Sequence, residues 1–136
     1  DIRKLLRNNI FSQAIKQFNN MTNHNYHPTS AFLAEFLGYI AKYDLSVAKK
    51  IFESRPKSTL EAYHLNAILQ GYFSKGDAEG ALLYLKIVEK DLGYLELPKS
   101  TLFIILEGLN NTASIIVLEK FVKDIIANHD SEYYKR

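Results

Sequence analysis

The chain has 136 residues and carries 17 Lys and Arg against 15 Asp and Glu, a net charge of +2. At roughly 150 residues per domain this is one domain, and 47% hydrophobic with 24% charged residues is the composition of a chain that buries a core. There is no cysteine, which excludes a disulfide scaffold, a thiolate zinc site, an iron–sulfur cluster and a cysteine nucleophile; the mildly basic balance permits a polyanionic partner without demanding one.

The apolar spacing is helical almost throughout. Ile10, Phe11, Ala14, Ile15 and Phe18 recur at three- and four-residue steps, which puts them on one helical face. Asn23 to Pro28 is a polar turn, and Thr29 or Ser30 can cap the next helix, whose face is Phe32, Phe36, Tyr39, Ile40 and Tyr43. Asp44 is the N-cap of a helix carrying Ala48, Ile51 and Phe52. Ser54 to Ser58 is a turn, and Ser58 or Thr59 can cap the helix of Leu65, Ile68, Leu69 and Tyr72. Ser74-Lys75-Gly76-Asp77 reads as a helix end, a left-handed glycine and an Asp cap, followed by Ala81, Leu82, Leu85 and Val88. Gly93 to Pro98 is a longer turn before Leu102, Ile105, Leu106 and Leu109. Asn110 to Ser114 opens the last helix, with Leu118, Phe121, Val122, Ile125 and Ile126. Sustained period-two alternation is absent, so no sheet is predicted. Helices this short with such brief connections pack as antiparallel neighbours.

The units repeat. Gly38-Tyr39, Gly71-Tyr72 and Gly108-Leu109 are each followed ten residues later by Ala48, Ala81 or Leu118, with the turn in phase at Tyr43-Asp44, Gly76-Asp77 and Ala113-Ser114. Asn9 to Ala14 matches Tyr43 to Ala48 one unit on. The expected organisation is one helical-repeat domain over 1–136, with a partial unit at 1–27 and units at about 28–57, 58–97 and 98–130. A small residue at the Gly and Ala positions lets the two helices of a hairpin approach, and the neighbouring aromatic packs on the next hairpin. The chain opens Asp1-Ile2-Arg3-Lys4, without methionine or a signal-peptide pattern, and reads as a piece of a longer one. No run approaches the ~18 apolar residues of a membrane span.

The third unit carries a resemblance. Tyr63-His64-Leu65-Asn66-Ala67-Ile68-Leu69-Gln70-Gly71-Tyr72, then Gly76, then Ala81-Leu82, is similar to the pentatricopeptide repeat (PPR). The second unit matches through Gly38, Tyr39, Ala48 and Phe52, and the fourth through Pro98 and Gly108. The tetratricopeptide repeat has the same architecture, but its Trp-containing pattern is not clearly present and this chain has no Trp. The resemblance implies an all-α fold, a right-handed α-solenoid of stacked antiparallel helical hairpins. It further implies a mitochondrial or other organellar protein that binds single-stranded RNA, one base per repeat, in RNA stability, processing or translation. The base-reading position, five residues before the motif glycine, carries over to Leu33, Asn66 and Phe103. An amide offers a donor and an acceptor to a base edge; Leu33 and Phe103 depart from the family pattern and can only stack. The second reading position of the third unit falls near Pro98-Lys99, where the family has Asp or Asn.

Each signal has a plainer reading beside it. Asn66 is a base reader or a buried core amide. Lys42 and Lys75, each four residues past the motif glycine, hold phosphates or complement a helix C-terminus. Lys49, Lys50, Arg55 and Lys57 read as a solvated outer surface. His24 and His27 have His-x-x-His spacing but no third ligand, so no metal is expected. His64 is packing or solvent. Glu35 and Glu107 make no catalytic carboxylate pair, and neither a nucleophile elbow nor a phosphate loop occurs. The chain is therefore not expected to be an enzyme or to take a cofactor or small-molecule substrate. A protein-interaction scaffold, part of a larger assembly, is the competing function, favoured by the apolar reading positions.

Overall fold

A computed structural model of the chain describes residues 1–56, 60–92, 98–112 and 115–129. Among the described residues there are eight α-helices and no strand: α1 (Ile2–Arg7), α2 (Phe11–Asn23), α3 (Ser30–Tyr43), α4 (Leu45–Ser54), α5 (Ala62–Ser74), α6 (Ala78–Leu92), α7 (Lys99–Thr112) and α8 (Ile115–His129). The fold is all-α. No helix among the described residues is long and apolar enough to cross a membrane.

Local chemistry places most of the boundaries. Thr29 caps α3, its hydroxyl accepting from Phe32 N–H. Asp44 ends α3 in an extended conformation and caps α4 through Val47 N–H, so one residue joins the two helices. Asp77 accepts from Gly80 N–H. The end of α5 is a Schellman turn: Gly76 has φ +74°, Gly76 N–H bonds the Phe73 carbonyl, and Asp77 N–H bonds the Tyr72 carbonyl. The same pair of bonds closes α1 and α2, with Asn9 (φ +60°) and Asn25 (φ +64°) in the left-handed position. Ser58, Thr59, most of the turn from Gly93, and Ala113-Ser114 lie outside the described residues. The start of α5 is instead closed by His64, whose Nδ1 accepts from Glu61 N–H at 2.9 Å.

The helices pair as hairpins in chain order, α1 with α2, α3 with α4, α5 with α6 and α7 with α8. The first helices also pack side by side. The α5 helix touches α3 and α7, and α4 and α6 flank it. Contacts at both ends make α3, α5 and α7 parallel: His64 reaches Ser30 and Gly71 faces Ala41, while Thr101 reaches Asn66 and Gly108 faces Phe73. The side-chain hydrogen bonds that join different units span 31 to 35 residues, one unit each.

One core runs through these layers. Leu6, Phe18, Phe36, Leu37, Ile40, Leu65, Ile68, Leu69, Ile105 and Leu109 are buried in it. Phe18 stacks on Phe36 with centroids 4.2 Å apart, an arrangement that adds about 0.5–1.5 kcal/mol to the area buried.

The glycines correct the sequence reading. A Cβ at Gly71 would lie 2.7 Å from Ala41 Cβ and 2.9 Å from the Ala41 carbonyl oxygen, and one at Gly108 would overlap the Phe73 ring. Both therefore serve the approach of one first helix to the preceding first helix, not the closing of a hairpin. Gly38 faces open space. The first helix of the preceding unit is the six-residue α1, which meets α3 through Arg3, ion-paired with Glu35 and lying over the Phe32 ring.

Candidate nucleic-acid interface

The three reading positions fall in different surroundings. Leu33 is 2% exposed, Asn66 6% and Phe103 67%. Leu33 belongs to the core and presents nothing to a ligand. Asn66 points at the start of α7, where its Oδ1 accepts from Thr101 Oγ1 at 2.6 Å and its Nδ2 donates to Ser100 Oγ at 3.2 Å. Its amide is engaged within the protein. Phe103 alone of the three shows most of its ring to solvent.

The lysines divide by helix end. Lys42 is in the last turn of α3 and Lys75 is the C-cap of α5, both exposed. Each complements the negative end of a helix dipole, worth about 0.3–1 kcal/mol at the surface. Lys99 begins α7, at the opposite end of the parallel first helices. At ~1.5 Å per residue, roughly 20 Å of helix separates it from the other two.

Lys42 borders an open groove of about 420 Å³ that crosses the C-terminal halves of α3, α5 and α7. Gln70, Ser74, Asn111 and Thr112 add amides and hydroxyls, Glu107 adds a carboxylate, and Phe73, Ile104 and Gly108 form the apolar part. The apposition of Gly108 and Phe73 joins its α5 and α7 walls. Gln70 lies one residue before the motif glycine and Glu107 one before its counterpart, so both helices present the same register position here. Sequence reasoning missed Gln70, Ser74 and Asn111. The signal for them was that polar residues one place before or three places after the glycine interrupt otherwise apolar helices. Lys75 and Lys99 do not line this groove.

Lys49 differs from the sequence reading, and His64 takes the packing alternative of its two. Lys49 is half-buried, with Nζ 5.4 Å from the Tyr72 ring centroid and 4.9 Å from that of Tyr84. It joins neighbouring hairpins rather than a solvated surface, as does Tyr84 Oη, which donates to Glu53 at 3.0 Å. Burial, and then the Glu53 charge, push the Tyr84 hydroxyl far above the usual phenol range. His64 is fully buried. Because Nδ1 accepts from Glu61 N–H, the ring hydrogen is on Nε2, which donates to the Ser30 carbonyl at 2.9 Å. His24 Nδ1 contacts the Asn20 carbonyl at 2.8 Å, and among the described residues no group of three His, Cys, Asp or Glu side chains is disposed to hold a metal.

Comparison with protein-family models, with curated proteins and with solved structures gives no match to this chain.

Proposed function

We propose that the chain is a PPR-like segment of an organellar, mitochondrial RNA stability, processing or translation factor, without catalytic activity of its own. Its hairpins would continue as a right-handed α-solenoid, and it would bind single-stranded RNA across the groove. The observation that carries this reading is the convergence of Lys42, Gln70, Ser74 and Asn111, from three successive first helices, on one open surface. A cation supplies phosphate attraction and the amides and hydroxyls meet sugar or base edges. With Leu33 and Asn66 committed to packing, the binding is tolerant of sequence. Lys75 adds charge at the same helix end and Lys99 at the other.

Fluorescence anisotropy with an unstructured RNA at two salt concentrations tests it. Each phosphate contact adds about −0.7 to the slope of log affinity against log salt for a single strand. Lys42→Ala should weaken binding and reduce that slope by about this amount; absence of binding at low salt by the whole protein would sink the reading.

A second reading is a protein-interaction scaffold, favoured by Glu107 in the same groove. A carboxylate there opposes phosphate and accepts a cationic side chain of an extended peptide. Glu107→Gln discriminates: it strengthens RNA binding on the first reading and weakens peptide binding on the second.

A further inference from the structure

The α5 and α7 walls of the groove present matching positions. One residue before the motif glycine stand Gln70 on α5 and Glu107 on α7; three residues after it stand Ser74 and Asn111. The counterparts on α3, Leu37 and Ala41, are buried, and α3 contributes Lys42 instead. The α5 helix touches both α3 and α7, which puts the cation on one side of it and the carboxylate on the other. Ser74 Oγ and Thr112 Oγ1 donate to carbonyls of their own helices, those of Gly71 and Gly108. The side chains of Lys42, Gln70, Glu107 and Asn111 are exposed and, among the described residues, have no hydrogen-bond or ion-pair partner. The amide of Asn66, four residues before Gln70, is by contrast closed by Ser100 and Thr101. Hydrogen-bonding capacity is therefore open one turn along α5 and α7 from the motif's reading position, not at it.

We infer that Glu107 makes the groove selective for one base of a bound strand, favouring guanine and rejecting uracil. This rests on the RNA reading proposed above and names the nucleotide that the α7 wall takes. A carboxylate repels phosphate, so the backbone of the strand lies toward Lys42 and a base toward Glu107. Ionised, Glu107 only accepts hydrogen bonds, through two oxygens side by side. Guanine offers two adjacent donors, N1–H and the N2 amino group, which match them as a charge-assisted pair. Adenine and cytosine each offer one amino donor beside an acceptor nitrogen. Uracil flanks its single N–H with two carbonyls, which the carboxylate oxygens repel, and rejection of this kind separates ligands as well as attraction does. Gln70, at the same position on α5, carries both a donor and an acceptor and accommodates any edge. The strand as a whole stays tolerant of sequence, and one nucleotide of it is read. Ile104, one turn before Glu107 and partly buried in the same wall, offers that base an apolar surface.

Anisotropy of the whole chain with labelled single-stranded RNA tests it, using a run of about ten uridines and the same run with its central residue replaced by guanosine, adenosine or cytidine. The guanosine probe should bind at least about fivefold tighter than the uridine run, the low end of what a bidentate base contact contributes, with adenosine and cytidine between them. The readout is the ratio of affinities, in which any change of net charge cancels. Glu107→Gln should tighten the uridine run and bring the guanosine ratio toward one, with the Tm of the parent kept because Glu107 is exposed. Lys42→Ala should weaken every probe and leave the ratio unchanged. Equal affinities for all the probes, or a guanosine preference that survives Glu107→Gln, would overturn the inference and leave the RNA reading standing. Absence of binding by every probe at low salt would overturn both. Binding of an arginine-bearing peptide in their place, lost in Glu107→Gln, would then assign the carboxylate to the protein-interaction reading.

Discussion

Thr101 Oγ1 donates to Asn66 Oδ1 over 2.6 Å, and Ser100 Oγ accepts from the same amide. Side chains from the first turn of α7 thus close both halves of the amide that the repeat motif would offer to a base. The contact turns a reading position into a junction between two hairpins. Asn66→Ala leaves the buried Thr101 hydroxyl without its acceptor, at a cost of about 1–3 kcal/mol, readable as a lowered urea midpoint. Thr101→Val in the same background should recover part of the loss. An Asn66→Ala chain of unchanged stability and altered base preference would show that the amide reads RNA after all.

The three motif glycines should separate cleanly. At Gly71 an added Cβ meets Ala41, including its backbone oxygen, which no side-chain rotation relieves. Gly71→Ala should cost about 1–3 kcal/mol, and Gly71→Leu more. Gly108→Ala should also destabilise, through the Phe73 ring. Gly38→Ala meets nothing within 4 Å and should gain about 0.5–1 kcal/mol from helix propensity. Thermal melts of the three variants decide this, and equal losses at all three would contradict the geometry.

The Schellman turns predict a stabilising change. Asn9 holds φ +60° after α1 where Gly76 holds +74° after α5. Glycine occupies that region without a Cβ penalty, so Asn9→Gly should raise stability by about 0.5 kcal/mol. Chemical denaturation of the variant measures it, and a loss would mean that the Asn9 side chain contributes more than its conformation costs.

Tyr84 predicts an alkaline response. Its folded pKa lies above the unfolded value of about 10. Its contribution is therefore fully present below pH 10, where both states are protonated. Above pH 10 the unfolded chain releases this proton and the folded chain retains it, so stability falls by up to about 1.4 kcal/mol per pH unit. Tyr84→Phe removes that loss: its stability should decline less steeply above pH 10 than that of the unaltered chain. Parallel denaturation curves between pH 8 and 11 test the sign, and identical slopes would show that Tyr84 ionises as freely folded as unfolded.

What could be read from the residues follows a physical line. Thr29, Asp44, Gly76 and Asp77 were legible because a cap or a left-handed turn is decided within four residues, by whether a side-chain oxygen or a missing Cβ is at hand. The all-helical fold and the hairpin succession were legible for the same reason, and so was most of each apolar face, although Ile10, Tyr39, Tyr43, Val122 and Ile126, read as part of those faces, are exposed. His64 was not, since it receives the Glu61 N–H on one nitrogen and reaches α3 with the other.

The sequence by itself determined where helices begin, end and turn cores inward. The tertiary structure alone decided how far each helix is rotated about its axis against its neighbours. One residue along a helix is about 100° around it, so similar motif positions can face a packed helix or open solvent. That rotation buries Leu33, binds Asn66 into a junction and leaves Gly38 facing nothing. It also gathers Gln70 and Asn111 beside Lys42: the polar breaks in their helices were local, but their meeting with a lysine of α3 was not.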